Sequence, residues 1–194
     1  MTAIPLILAS SSVSRRTLLE RLQLEFTCVS PEIEEAALPG EPIEHQVLRL
    51  AEAKVRAVAA DAGDAFIIGS DQLAELAGQR LGKPGDHTNA MRQLQAMSGQ
   101  HVRFYTAVCL LNTQTGSLQN SCVVYDILYR ELSQEQINYY LQQEQPYHCA
   151  GSFKSEALGV ALIERMDGPD PTALVGLPLI TLVGMLQNQG FNVL

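Results

Sequence analysis

The sequence predicts an α/β protein built on a mixed, twisted sheet with flanking helices, and three observations lead there. Short apolar runs alternate with amphipathic stretches through the first half of the chain, the pattern of strands laid down between covering helices. Two long strand-like stretches, His101 to Asn112 and Leu118 to Glu131, flank Thr113-Gln114-Thr115-Gly116 and read as a hairpin, which makes part of the sheet antiparallel. The 194 residues, 46% of them hydrophobic, suit one domain or one domain with two lobes, a size that buries roughly 70% of the unfolded surface.

Ile4 to Ala9 is apolar and strand-length, so it reads as a buried strand, and Ser10-Ser11-Ser12 follows as a polar turn. Arg15 to Gln23 has helical spacing, with Leu18, Leu19 and Leu22 on one side. Phe26 to Ser30 is a second strand candidate, and the glutamate-bearing Pro31 to Pro42 reads as a loop. Ile43 to about Ala60 is a long amphipathic helix. Ala65 to Gly69 reads as a buried strand ending in Ser70-Asp71-Gln72, and Gly78, Gly82, Pro84 and Gly85 mark turns. Thr88 to Met97 is helical and is stopped by Ser98-Gly99. After the hairpin, Ser133 and Gln136 form a capping box for a helix through about Gln143. Leu158 to Arg165 reads as a further strand and Pro178 to Gln189 as the last helix, stopped by Gly190.

Composition excludes several classes. The apolar content rules out low-complexity disorder. No apolar run reaches the ~18 residues of a membrane span, and the start, Met1 to Ala9, lacks the basic head of a leader peptide. A formal net charge of -8 argues against a nucleic-acid partner, which needs a basic face. Cys28, Cys109, Cys122 and Cys149 form no C-x-x-C pair and read as buried free thiols of a cytoplasmic protein, neither a disulfide frame nor a zinc site. His45, His87, His101 and His148 lack ligand spacing and read as structural. Among 13 cationic residues the only lysines are Lys54, Lys83 and Lys154, so each invites a question about its purpose.

Five constellations carry chemistry. In Leu6-Ile7-Leu8-Ala9-Ser10-Ser11-Ser12-Val13-Ser14-Arg15-Arg16, a strand passes through a small polar turn into a helix N-terminus, where free N–H groups and the positive dipole end suit an anion. Two arginines in that first turn oppose the macrodipole unless a phosphate sits between them; otherwise the turn is a serine cap with arginines on the surface. Lys54 falls in the middle of the stripe Val47, Leu50, Ala51 and Val58, so its ammonium either meets a partner in a wet cavity or snorkels to water. Gly69-Ser70-Asp71-Gln72 places a carboxylate at a strand end, where α/β proteins gather ligands, or makes a simple Asp turn. Leu81-Gly82-Lys83-Pro84 aims a lysine from a stiff turn without P-loop spacing; a solvated turn lysine is the plainer alternative. In Cys149-Ala150-Gly151-Ser152-Phe153-Lys154-Ser155-Glu156, small residues admit a ligand closely, and Lys154 and Glu156 share a face if extended, or form a surface ion pair.

Taken in order, the pieces resemble the Maf family of nucleotide pyrophosphatases across nearly the whole chain. The resemblance is carried by Leu8-Ala9-Ser10-x-Ser12-x-x-Arg15-Arg16, Leu50-Ala51-x-x-Lys54, Gly69-Ser70-Asp71-Gln72, Gly82-Lys83-Pro84, Ser98-Gly99 and Cys149-Ala150-Gly151. Phe153-Lys154-Ser155-Glu156 with Val175-Gly176-Leu177-Pro178 is similar to the branch acting on 7-methyl-GTP; the branch hydrolysing dTTP and UTP typically has glutamine at the position of Glu156.

The resemblance implies a single Maf/ITPase-like domain over residues 1–194, with two lobes around a central cleft, a divalent metal such as Mg²⁺ or Mn²⁺, and cleavage between the α- and β-phosphates. It implies Asp71 as catalytic base or metal-side carboxylate and Glu35 in the same cleft, both candidate metal ligands. Ser10, Ser12, Arg15, Arg16, Lys54 and Lys83 would hold the triphosphate, and Ser14, Gln72, Lys154 and Glu156 would choose the base. Ser14 departs from the family, where a bulky residue such as tryptophan or arginine is expected. A nucleoside triphosphate is the implied partner, with no nucleic acid or membrane, and the family suggests a homodimer. Two other readings stay open: the same reaction on dTTP, UTP or another modified nucleotide, and a nucleotide-binding regulator of septum formation with little turnover.

Overall fold

In the computed structural model, residues 4–194 are described; Met1 to Ala3, part of the start read against a leader, lie outside the described residues. Seven strands form one mixed sheet: β1 (Leu6–Ala9), β2 (Thr27–Val29), β3 (Phe66–Leu76), β4 (Gln79–Leu81), β5 (His101–Asn112), β6 (Leu118–Tyr129) and β7 (Ile163–Asp167). Their order is β2-β1-β3-β5-β6-β7, with β4 alongside β3. β1 pairs in parallel with β2 and β3, while β3–β4 and β6–β7 are antiparallel, which makes the sheet mixed as the sequence predicts. The helices are α1 (Val13–Glu20), α2 (Ile43–Ala59), α3 (His87–Met97), α4 (Gln134–Glu144), α5 (Thr172–Val175) and α6 (Leu179–Asn188). No helix among the described residues is long and apolar enough to cross a membrane.

The chain divides into two compact units. The first comprises Met1–Asp71, Thr106–Val123 and Asp170–Leu194; the second comprises Gln72–Tyr105 and Val124–Pro169. In the first, β1 and the start of β3 are buried along their length, which is what a parallel strand covered on both faces requires. Alternation sorts their side chains. Leu6, Leu8, Phe66 and Ile68 pack with Leu18 and Leu19 of α1 and Leu182 and Leu186 of α6. On the other face lies α2: a β-carbon at Gly69 would collide with the Ala51 carbonyl oxygen and stand 2.8 Å from Val55 Cγ1, so the absence of a side chain there lets helix and strand touch.

The second unit is built around α3 and α4, where Ala90, Leu94, Met97, Ile137, Tyr140 and Leu141 are buried. Phe153 packs between Phe104 and Tyr129, tilted against the first and edge-to-face with the second, at centroid separations of 5.6 and 5.7 Å. The capping box at Ser133 and Gln136 forms as predicted, with both reciprocal bonds made.

Four differences from the sequence expectations have physical causes. β3 does not end at Gly69 but runs to Leu76, because beyond Asp71 it gains β4 as a partner through Ala74↔Leu81, Glu75↔Arg80 and Leu76↔Gln79. Leu158–Leu162 is a 3-10 turn and the strand begins only at Ile163; a β-carbon at Gly159 would strike the Lys154 carbonyl, and Glu144 Oε1 accepts the Leu158 N–H, so the backbone curls there. α1 starts at Val13 because Ser12 caps it, its Oγ accepting the Arg15 N–H at 3.4 Å. Finally, of the four thiols only Cys109 is buried: Cys28 is exposed because β2 is an edge strand open to solvent, and Cys122 and Cys149 are half-buried, although all four are free.

Candidate active site

The best-formed polar site lies in the first unit and follows from the alternation of β3. Ile67, Gly69 and Asp71 share the face toward α2, so Asp71 projects at the helix carrying Lys54. The Lys54 ammonium lies 2.6 Å from Asp71 Oδ1 and 2.9 Å from Glu35 Oε1. Lys54 is 5% exposed and Asp71 8%, whereas half of the Glu35 side chain meets solvent from the loop before α2. A buried lysine on an apolar stripe needs a partner, and here it has two carboxylates.

Ser70 points the opposite way. Its hydroxyl lies 2.7 Å from the Ala107 carbonyl oxygen and 2.8 Å from that of Gly176. The same Gly176 oxygen accepts the Arg15 Nε–H at 2.8 Å. With Nε committed, the two terminal nitrogens of the guanidinium are the donors left for an anion. Burial lowers the Arg15 pKa from its ordinary value, opposed by the negative charges of Asp71 and Glu35. Ser10, buried at the end of β1, accepts the Ser12 N–H at 3.1 Å, which shapes the turn into α1. The register Leu8↔Ile68 carries Asp71 past the end of β1, so the carboxylate stands where β1 and β2 have finished though β3 continues.

Thus Ser10, Ser12, Arg15, Glu35, Lys54 and Asp71 belong to one unit, and the Lys54 ammonium touches both Glu35 and Asp71. Ser14 is half-buried in the first turn of α1. Arg16 instead turns to Glu20, one turn along the exposed face of α1, at 3.1 Å.

The remaining predicted residues are in the second unit. Gln72 is half-buried on β3 and Lys83 is exposed in the turn before α3. Lys154 Nζ donates to the Glu144 carbonyl oxygen at 2.6 Å and lies 3.5 Å from Glu144 Oε2. Glu156 is exposed in a turn spanning 155–157, so Lys154 and Glu156 are not on one extended face. Sequence reading missed Gln93, whose amide donates to the Gly82 carbonyl at 3.1 Å and accepts the Ser152 hydroxyl at 2.6 Å, tying the Lys83 turn to the segment that leads to Glu156. The signal was available: Gln93 sits in the stripe Ala90, Leu94, Met97, a polar residue on an apolar face. Glu144 had no comparable signal.

Residues 5–189 match the family described as Maf-like protein. The chain belongs to the Maf family. It is 55% identical over 190 residues to a protein of Methylobacillus flagellatus named 7-methyl-GTP pyrophosphatase, covering 98% of this chain and 99% of that one. Proteins of the same name from Nitrosospira multiformis (53% identical, 97% of this chain and 95% of that one) and Nitrosococcus oceani (52%, 97% and 95%) are similarly close. All six motifs that carry the Maf resemblance fall within the matched span. Among the described residues of this Maf protein, no group of three or more His, Cys, Asp or Glu side chains is arranged to hold a metal ion.

Proposed function

We propose that this chain hydrolyses 7-methyl-GTP to 7-methyl-GMP and pyrophosphate in the cytoplasm, removing a modified nucleotide before polymerases meet it. The observation that carries the reading is the buried Asp71 carboxylate held against Lys54, whose ammonium also meets Glu35, with Arg15 near enough to feel both carboxylates. Full-length relatives at 50–55% identity bear that enzyme's name, which supports the substrate. Residues 1–194 then act as one Maf-like domain with two lobes.

In this reading Asp71 orients or deprotonates the attacking water, and Ser10, Ser12, Arg15, Lys54 and Lys83 stabilise negative charge on the triphosphate. Arg16 joins them by leaving Glu20, a surface pair worth only about 0.5 kcal/mol. The carboxylates of Asp71 and Glu35 already share one cation, the Lys54 ammonium, and are hard oxygen donors. That set fits Mg²⁺ or Mn²⁺, which commonly use one or two carboxylates and take further oxygens from substrate phosphates. When bound, such an ion would neutralise charge on the departing pyrophosphate. On the base side, Ser14, Gln72, Lys154 and Glu156 make the choice. Guanine offers N1–H and N2–H on one edge for the Glu156 carboxylate to accept, and the positive charge of N7-methylation favours an anionic partner.

Replacing Asp71 by Asn tests the reaction. Pyrophosphate release should fall about a thousandfold while calorimetry still detects 7-methyl-GTP binding. Undiminished turnover in that variant would remove Asp71 from the chemistry.

A further inference from the structure

An arginine meets a phosphate well when its fork is aimed in advance, and a long flexible side chain is aimed by what holds its Nε. For Arg15 that hold is the Gly176 carbonyl, 161 positions away in sequence. Gly176 has φ +116°, a conformation that side-chain-bearing residues rarely adopt, and this turns its oxygen toward both Arg15 Nε and Ser70 Oγ.

The turn that presents this oxygen is closed by Asp170, which is 1% exposed. Its Oδ1 accepts the Thr172 N–H at 3.0 Å and the Thr172 hydroxyl at 2.5 Å; its Oδ2 accepts the Ile180 N–H at 2.8 Å. Thr172 Oγ1 in turn accepts the Leu179 N–H at 2.8 Å. Two side chains therefore clasp residues 170–180 at both ends, with Gly176 between.

We infer that the Asp170-closed turn, together with Ser70, is a positioning device that aims Arg15 at the substrate phosphates. Ser70 precedes Asp71 in β3, so a single carbonyl oxygen ties the guanidinium to the strand residue beside the reacting carboxylate. Ser70, Asp170 and Gly176 touch no phosphate in this scheme; they act through Arg15. The inference rests on the pyrophosphatase reading and names how its phosphate site is built.

The test is a double-mutant cycle on Ser70→Ala and Arg15→Lys, read as kcat and KM for 7-methyl-GTP and as the affinity for inorganic pyrophosphate, all well below each variant's unfolding temperature. Ser70→Ala should lower kcat on the order of tenfold with little change in KM. Arg15→Lys should lower it about a hundredfold, and the double variant no further, because what Ser70 positions is gone. Losses that multiply to about a thousandfold would overturn the inference. Asp170→Asn, where it folds, should repeat the Ser70→Ala pattern; Ser70→Ala decides if it does not. If the parent releases no pyrophosphate from any nucleotide, the function fails. The pyrophosphate affinities then judge the device alone, non-additive losses supporting it and additive ones refuting it.

Discussion

Lys54 Nζ stands 2.6 Å from Asp71 Oδ1, an ion pair buried between α2 and β3 and shared at 2.9 Å with Glu35. Removing one partner of such a pair leaves a charge stranded out of water, which costs about 3–5 kcal/mol. Lys54→Met should therefore lower the free energy of unfolding in urea by that order at neutral pH. Asp71→Asn in the same chain should recover much of it, since the stranded carboxylate is then neutral. A Lys54→Met protein as stable as its parent would mean that the pair is not buried as described.

Gly69 is where α2 and β3 touch. A methyl group there meets the Ala51 carbonyl oxygen and Val55 Cγ1, and neither backbone nor packed valine yields cheaply. Gly69→Ala should cost about 1–3 kcal/mol. Because the shift separates Lys54 from Asp71, kcat should also fall in protein that remains fully folded. Unchanged stability and turnover would contradict the close approach.

Glu156→Gln exchanges a double acceptor for a side chain that both donates and accepts. Steady-state rates on 7-methyl-GTP, GTP and UTP should converge in that variant, with 7-methyl-GTP losing its lead. An unaltered ranking would take Glu156 out of base choice.

The thiols differ in reach. Cys28 is exposed, while burial pushes Cys109 and Cys122 up to about 12 and raises Cys149 as well. The thiolate is the reactive form, so a disulfide-exchange reagent at pH 8 should find one fast thiol in the native protein and the rest only in urea. From about pH 9 to about 12 the unfolded chain releases the Cys109 proton and the folded chain keeps it. Stability should fall with rising pH across that window, by at most about 1.4 kcal/mol per unit for this thiol, with no contribution from it below pH 9. Flat stability through that range, in the parent compared with Cys109→Ala, would contradict the burial.

What the sequence made legible was whatever repeats locally. The 3.6-residue stripe of α2 located Lys54 among buried neighbours, and its inward ammonium is the centre of the site. The hairpin and the Ser133 capping box were legible because turn and cap chemistry sit within a few residues. Past Asp71 the signal disappears, because β3 is prolonged by backbone pairing with β4 while its polar Ser70-Asp71-Gln72 reads as punctuation. Nor does any local pattern reveal that Arg15 bonds to Gly176 or that Arg16 turns away to Glu20; those choices depend on segments that only the fold brings near.

The most direct test of the account is pyrophosphate release from a panel of canonical and modified nucleoside triphosphates, with and without Mg²⁺. Release should depend on the metal, be fastest from 7-methyl-GTP and be abolished in Asp71→Asn. Release led by dTTP or UTP, or none from any nucleotide in the panel, would contradict it.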